Sequence, residues 1–312
     1  MTNRNIHILT AKPGVVHPNN FHCYYETLAH YNEWGDKISI GKHFTCRFCG
    51  ETDRKQFKKE NAHTFPEFAG NKWLFSKDEC KKCNSDFSRY ENELANHSLI
   101  MRTMYGTKTK KKKASTKLKN NFFSLQREST GFKMNIFSEN REKINPEKDG
   151  EITFNIDFEK RERKARVKIP EKEYIPLYLF KALNKIAFSI MPDKELDTNG
   201  FDGFKKWIKD FDKSFDDNDG QAPYFYIYHN RLEFAEREPM LILFKKHSKY
   251  VNTNMPTYSF LFAYGNHIFQ IFIPYCSSDN WLIEEELKLL IIPELVIEKD
   301  GKGNFTWMNG NN

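Results

Sequence analysis

The chain has 312 residues, with 49 Lys and Arg against 42 Asp and Glu, which gives a formal net charge of +7. Hydrophobic residues make up 39% of the chain and aromatic residues 15%, which is enough to fill a core and excludes a disordered polymer. At roughly 100 to 200 residues per domain, this length allows one large domain or two.

The excess positive charge lies in one short segment. Residues 101–120 contain eight basic residues and no acidic one: Arg102, Lys108, Lys110, Lys111, Lys112, Lys113, Lys117 and Lys119. Without these eight, the chain has 41 basic and 42 acidic residues and a net charge of −1. A run of like charges is often only solvated, but a local basic patch can also bind an anionic partner.

The distribution of apolar residues and cysteines bears on the compartment. No stretch reaches the 18 or more apolar residues of a membrane span, and the N-terminal residues lack the apolar run of a signal peptide. We therefore expect a cytoplasmic protein that does not bind membranes. Six cysteines in a reducing compartment favour metal binding over a disulfide framework, and the isolated Cys23 and Cys276 are expected to be buried.

The other four cysteines form two C-x-x-C pairs with 30 residues between them: Cys46, Cys49, Cys80 and Cys83. A two-residue spacer lets both sulfurs of a pair reach one tetrahedral ion at about 2.3 Å, so two pairs complete a structural zinc site. Gly50 follows the first pair and suits a tight turn with positive φ. A redox role would require a thioredoxin-like βαβ context, which is missing here.

Between and after these pairs, polar residues follow one another in a recognisable order. His63 is followed by Pro66 and by Gly70-Asn71, and Asn84 comes directly after the last cysteine. This arrangement, over residues 45–94, resembles the HNH endonuclease family, in the subgroup with two C-x-x-C pairs. The resemblance implies a small zinc-stabilised, treble-clef-like ββα-metal module that holds one divalent cation against the scissile phosphate.

The resemblance also implies roles for single residues. His63 takes the place of the general base that activates a water, a role that suits an imidazole because its ordinary pKa is near neutral. Asn84 takes the place of an oxygen ligand for a hard cation, Mg²⁺ or Mn²⁺. Asn71 matches the middle motif residue, which holds the loop and orients the base.

One position departs from the family pattern. Many members have an acidic metal ligand immediately before the base, where this chain has Ala62. A helix is predicted over residues 84–97, and Glu91 would then lie two turns from Asn84 on the same face and could supply the missing carboxylate. Alternatively, Glu91 is a solvated acid or pairs with Arg89 or a nearby lysine. The other candidate carboxylates are Glu60 and Glu67, while His43 and His97 are expected on the surface.

The chain after residue 122 has a different pattern. Alternating apolar residues predict amphipathic strands, and apolar stripes with helical spacing predict helices. The predicted strands are 132–136, 152–158, 167–169, 224–228, 240–244, 258–264 and 267–273, and the predicted helices are 174–191, 203–215 and 281–290. A tight hairpin is expected at Gly265-Asn266.

These patterns predict an α+β protein: the small zinc-stabilised module plus a larger α+β domain with antiparallel strands and a core of its own. The predicted parts are an N-terminal extension (1–40), which could pack on either domain, the HNH module (41–105), a basic linker (106–121) and a recognition or regulatory domain (122–312). Arg102 and the linker lysines are predicted to contact nucleic-acid phosphates, because each neutralised phosphate releases a counterion.

The predicted function is metal-dependent hydrolysis of phosphodiester bonds, with double-stranded DNA as the expected substrate. Stand-alone nucleases of this kind are often associated with restriction or anti-phage defence. Two alternatives stay open: a non-catalytic, zinc-dependent nucleic-acid-binding or regulatory protein, and a homing-type nuclease of a mobile element. One site cuts one strand, so a homodimer is a further hypothesis, as is a regulatory ligand or partner protein at the C-terminal domain.

Overall fold

A computed structural model describes most of the cysteine-bearing part of the chain and the central elements of the remainder. The described residues are 6–10, 21–32, 36–57, 62–104, 115–117, 123–128, 131–136, 151–157, 162–168, 172–198, 200–211, 225–231, 239–251, 253, 255–265, 267–274, 276, 297–299 and 305–307.

The described elements mix helices and strands throughout the chain. The α-helices are α1 (Phe21–Tyr24), α2 (Lys81–His97), α3 (Leu99–Met104), α4 (Pro176–Ser189), α5 (Asp193–Thr198) and α6 (Asp202–Lys209). The strands are β1 (Ile6–Thr10), β2 (Tyr25–Asn32), β3 (Ile38–Ile40), β4 (Ala62–His63), β5 (Leu74–Ser76), β6 (Ser115–Lys117), β7 (Phe123–Glu128), β8 (Gly131–Ile136), β9 (Glu151–Asp157), β10 (Glu162–Lys168), β11 (Phe225–Arg231), β12 (Met240–Lys246), β13 (Tyr258–Tyr264), β14 (His267–Phe272), β15 (Ile297–Lys299) and β16 (Phe305–Trp307).

The largest sheet has six strands in the order β1-β11-β14-β13-β12-β2. Its four central strands are antiparallel, and β13 and β14 form the hairpin that the Gly265-Asn266 pair predicts. The N-terminal segment supplies both edges, because β1 pairs with β11 in parallel and β2 pairs with β12 antiparallel. The N-terminal strands β1 and β2 therefore complete the C-terminal sheet.

A second, smaller sheet lies in the part of the chain that contains the four paired cysteines, residues 36–104, which we call the cysteine module. Its strand order is β3-β5-β4, with β3 parallel and β4 antiparallel to β5. Helix α2 follows directly and buries Cys83, Phe87, Tyr90 and Leu94 on one face. This spacing of three and four residues is the apolar stripe of an amphipathic helix.

Helix α4 connects the cysteine module to the large sheet. Every residue from Leu177 to Ser189 is buried, as expected of a helix that is apolar on nearly all sides. The helix packs against α2 and also contacts β14. Phe48 of the cysteine module lies with its ring centroid 5.5 Å from that of Phe188 on α4.

One hydrophobic cluster consequently contains side chains from both parts of the chain. Phe65 and Trp73 of the cysteine module belong to it together with Phe180 of α4 and Phe262 of β13. The expectation of a separate C-terminal core is therefore wrong, because α4 packs against the cysteine module on one side and against the large sheet on the other. The predicted boundaries between the domains remain predictions.

Buried polar contacts reinforce this junction. Arg47 donates from Nε to Asp78 Oδ2 at 2.8 Å and from Nη1 to the carbonyl oxygens of Phe188 and Met191 at 2.6 and 3.1 Å. Phe188 is in the last turn of α4, and Met191 lies two residues beyond its end. The side chains of Arg47 and Asp78 are 2% and 3% exposed, so this ion pair is shielded from water.

Several predicted elements and residues can be compared with the fold. The α+β class is confirmed; the strand β8, the hairpin β13–β14 and the helices α2 and α4 occur where they were predicted. Cys276 is buried, but Cys23 is exposed, which corrects the expectation that both are buried. The predicted helix at 281–290 lies outside the described residues.

No helix in the described ranges is long and apolar enough to cross a membrane.

His97 also differs from its predicted surface position. Its ring lies 4.9 Å from that of His229 and 4.7 Å from that of Tyr174, measured between centroids. The end of α2 is covered by the large sheet, which places this histidine in the interface. His43 is exposed, as predicted.

Replacing Arg47 tests how much this junction contributes to stability. We expect Arg47→Met to lower the free energy of unfolding by about 3–5 kcal/mol, because it leaves the carboxylate of Asp78 buried without its cation. Denaturant unfolding of the full chain measures the change. The matched control is Lys42→Met, which removes an exposed pair with Asp197 at 2.9 Å between the same two parts of the chain. A loss at Arg47 no larger than the loss at Lys42 would contradict the prediction.

Candidate functional site

The two C-x-x-C pairs converge on one point. The sulfurs of Cys46, Cys49, Cys80 and Cys83 all lie within 4.8 Å of one another, and the sulfurs of Cys49 and Cys80 are 3.7 Å apart. The first pair sits in a tight turn in which the amide of Gly50 donates to the carbonyl oxygen of Cys46 at 2.8 Å, with a φ of +75° at the glycine. Cys80 caps the N-terminus of α2.

Burial and hydrogen bonds shift the pKa values of the sulfurs. A hydrogen bond from the Cys83 thiol lowers the pKa of Cys46 to about 5, whereas burial raises the pKa of Cys80 to about 11. The hydrogen bond to Cys46 also raises the pKa of Cys83. Four thiolates this close repel one another unless a dication lies among them, so the group could hold a structural zinc ion.

His63 lies at the end of the two-residue strand β4. The strand pairs with β5, so that His63 is opposite Phe75, and the two ring centroids are 4.9 Å apart. The amide of Thr64 donates to the carbonyl oxygen of Leu74 at 3.3 Å and extends the pairing by one residue. The imidazole is therefore half-buried at the edge of the small sheet, held against an aromatic ring.

Asn71 is fully buried in the loop between β4 and β5. Its side-chain nitrogen donates to the carbonyl oxygens of Phe65 and Leu74, at 2.8 Å each. Its side-chain oxygen accepts from the amides of Trp73 and Leu74 at 3.3 and 3.0 Å. These four bonds join both ends of the loop that follows His63, and the role of Asn71 in orienting the base remains a prediction.

Asn84 and Glu91 lie on helix α2. Asn84 is half-buried in the first turns of the helix, and its amide donates to the carbonyl oxygen of Cys80 at 3.0 Å. Glu91 follows seven residues later on the same face, as predicted. The helix begins at Lys81, three residues before its predicted start.

The geometry of these strands, the sulfur cluster and the helix can now be compared with known families. Residues 46–99 match the family model described as HNH endonuclease. We call this segment the HNH domain. No curated protein and no solved structure matches the chain. The resemblance predicted from the motif is confirmed, and an HNH nuclease implies a nucleic-acid substrate.

A buried lysine from outside the HNH domain contacts the candidate site. Lys185 of α4 lies with its Nζ 3.2 Å from Glu79 Oε2 and 3.3 Å from Glu91 Oε1. The same nitrogen donates to the carbonyl oxygens of His63 and Thr64 at 3.2 and 3.5 Å. We call Lys185, Glu79 and Glu91 the Lys185 cluster.

The charges of the Lys185 cluster depend on one another. Burial raises the pKa of Glu79 to about 7, although the positive charge of Lys185 lowers it. Burial alone would lower the pKa of Lys185, but the charges of Glu79 and Glu91 outweigh burial and raise it. Lys185 is therefore a buried cation at neutral pH, and at least one carboxylate balances it.

The position of Glu91 bears on the missing carboxylate at Ala62. One oxygen of Glu91 accepts a hydrogen bond from Lys185. Glu91 therefore forms an ion pair, as the alternative prediction had it, but with a lysine that is distant in sequence. The Glu91 side chain is still 28% exposed, so it would share its charge between lysine and a divalent cation. Its role as a metal ligand remains a prediction. Glu67 is half-buried, and Glu60 lies outside the described residues.

Arg102 does not lie in an exposed basic patch. It is 8% exposed, its Nη1 donates to the carbonyl oxygen of Ala95 at 3.2 Å, and its guanidinium lies 4.3 Å from the ring centroid of Phe68. Its predicted phosphate contact is therefore wrong, because the guanidinium is already used inside the fold. The side chains of the predicted phosphate-binding lysines lie outside the described part of the chain: Lys108, Lys110, Lys111, Lys112, Lys113, Lys117 and Lys119.

Sequence patterns missed the residues that join the HNH domain to α4. Lys185 is at helical spacing with Leu177 and Lys181, on a stripe that carries both lysines and is flanked by apolar residues. A lysine in the middle of such a stripe is a signal for a buried cation. Asp78 and Glu79 gave no comparable signal, because two consecutive acidic residues before a cysteine can also lie on the surface.

Removal of one sulfur tests the zinc assignment. We expect the purified chain to contain one equivalent of zinc and Cys80→Ser to lose both the zinc and the fold of the HNH domain, since structural zinc contributes folding free energy directly. Elemental analysis and circular dichroism measure both. Cys276→Ser is the matched control, because Cys276 is also buried but lies outside the sulfur cluster. A folded Cys80→Ser variant without zinc would contradict the assignment.

Proposed function

We propose that the protein is a metal-dependent endonuclease that hydrolyses phosphodiester bonds in double-stranded DNA. The observation that carries the proposal is the match of residues 46–99 to the HNH endonuclease family, with His63, Asn71 and Asn84 in the motif order. A zinc-binding module that only binds nucleic acid does not require all three residues. Their positions on a strand, a loop and a helix of one small unit support a shared site.

In the proposed reaction, His63 acts as the general base. Its imidazole takes a proton from a water molecule, and the water oxygen attacks phosphorus opposite the leaving oxygen, so that the P–O bond to that oxygen breaks. The ring of Phe75 and the loop bonds of Asn71 limit the orientations that the imidazole can adopt. A base held in one orientation avoids the entropy cost of finding it in every turnover.

The side-chain oxygen of Asn84 would hold the catalytic cation, Mg²⁺ or Mn²⁺, because an amide oxygen suits a hard ion. When bound, this ion would stabilise the negative charge that develops on the phosphate and on the leaving oxygen. A single neutral amide binds such an ion weakly. The proposal therefore includes Glu91 as a second ligand, with part of its charge directed to Lys185.

Partners and biological role rest on the sequence alone. The lysines between residues 108 and 119 are proposed to add salt-dependent affinity for phosphates. A homodimer would cut both strands, and a ligand or protein at the C-terminal part would regulate cutting. A role in restriction or anti-phage defence and a cytoplasmic location are also proposed from the sequence alone.

The test of the proposed function is metal-dependent nicking of plasmid DNA by the full chain. We expect nicked plasmid in Mg²⁺ or Mn²⁺ and a loss of at least about 100-fold in rate for His63→Ala, because a general base contributes typically 10²- to 10⁴-fold. Gel electrophoresis at fixed zinc content measures the rate. His43→Ala is the matched control, since His43 is exposed.

The alternatives predict other results. A non-catalytic binding protein would shift DNA in a gel but leave the plasmid intact. A homing-type nuclease would cut one long site and leave unrelated plasmids intact. Nicking that survives in His63→Ala would assign the chemistry to another residue.

A further inference from the structure

The strand that carries His63 has little support from the HNH domain alone. It is two residues long, and within the described part of the chain its only strand neighbour is β5. Two residues of pairing fix the strand through few hydrogen bonds. The orientation of the imidazole, however, depends on where the backbone of His63 lies.

Lys185 supplies the additional contacts. Its ammonium donates to the carbonyl oxygens of His63 and Thr64, at the end of β4, and is paired with Glu79 and Glu91. Glu79 lies immediately before Cys80 at the start of α2, and Glu91 lies in the middle of that helix. One nitrogen thus connects the strand of the base with both the start and the middle of the helix that carries Asn84.

Burial makes this connection strong. The side chains of Lys185 and Glu79 are 1% and 0% exposed, so their attraction is weakly screened by water. Removing the ammonium would leave a carboxylate buried without its cation and would take one donor away from each of the two carbonyl oxygens. The backbone of His63 and Thr64 would then lose the contact that ties it directly to the carboxylates of Glu79 and Glu91.

We propose that Lys185 is a positioning residue of the nuclease site, which holds the backbone of His63 at a fixed distance from α2. The proposal rests on the proposed function of His63 as the base. Lys185 lies outside residues 46–99 and on a helix that belongs to the C-terminal part of the chain. The active site is therefore completed by α4, and the matched family segment is only part of it.

The same helix offers a matched control. Lys181 lies one turn before Lys185, is also 1% exposed, and donates to the carbonyl oxygens of Trp207 and Asp210. Its hydrogen bonds thus reach the end of α6 instead of β4. A role that is only structural predicts similar consequences at both positions, whereas positioning of the base predicts a specific loss at Lys185.

The experiment compares Lys185→Met with Lys181→Met in the full chain. We expect Lys185→Met to lower kcat for plasmid nicking by about 10- to 100-fold with KM unchanged, because a small displacement of a catalytic group costs about that much. Lys181→Met should retain the wild-type kcat at a comparable loss of melting temperature. Amide hydrogen exchange should accelerate in the peptide that covers residues 62–65 in Lys185→Met and not in Lys181→Met.

The two readouts separate this proposal from the proposed function. If the wild-type chain cuts no nucleic acid, the proposed function fails, and the exchange of residues 62–65 still decides whether Lys185 holds the strand of His63. If both Met variants have equal kcat values and equal exchange in that peptide, the positioning role is wrong.

A second pair of variants covers the case in which Lys185→Met does not fold. Lys185→Arg and Lys181→Arg both keep the buried charge, but the planar guanidinium cannot reproduce the contacts of an ammonium. We expect Lys185→Arg to lower kcat and to increase exchange in residues 62–65 more than Lys181→Arg does. Equal values for the two Arg variants would overturn the proposal.

Discussion

The burial of charged groups around helix α4 is the constraint on which the junction of the two parts of the chain depends. A charge in the interior is costly unless it is paired and hydrogen-bonded, so each cation on or against this helix needs a partner at a defined place. Lys185 is paired with Glu79 and Glu91. Arg47 is paired with Asp78 and donates to the carbonyl oxygen of Phe188 in the last turn of α4. Apolar packing alone would tolerate a helix rotated or shifted by part of a turn. These pairs do not, and they therefore fix how α4 lies on the HNH domain.

This constraint explains why the candidate site and the shared core occur together. The face of α4 that carries Lys185 contacts β4 and α2, while its apolar residues pack with side chains of the large sheet. A change in the position of α4 would be transmitted to the backbone of His63 through one nitrogen atom.

The sequence predicted the cysteine cluster and the HNH domain, but it did not predict the contacts between distant segments. The cysteine spacing and the order of His63, Asn71 and Asn84 were readable because they lie within about 40 residues and depend on short turns. The strands β8, β13 and β14 and the helix α4 followed from apolar periodicity for the same reason. The pairing of Glu91 with Lys185 was not readable, because the two residues are 94 positions apart in the chain. The roles of β1 and β2 at the edges of the large sheet were equally hidden, since strand order has no signal in a single sequence.

The buried state of Arg102 changes what the positive charge of the chain implies. The eight basic residues of segment 101–120 looked like one patch, but the first of them is stacked on Phe68 and contributes nothing to an exposed surface. The charge that remains to attract a phosphate backbone then begins at Lys108, beyond the end of α3. If these lysines bind DNA, they do so from the segment that follows α3, and not from α2 or α3. A contact of that kind adds affinity that depends on salt and not on sequence. Sequence preference, if the protein has one, must then come from groups other than this basic run.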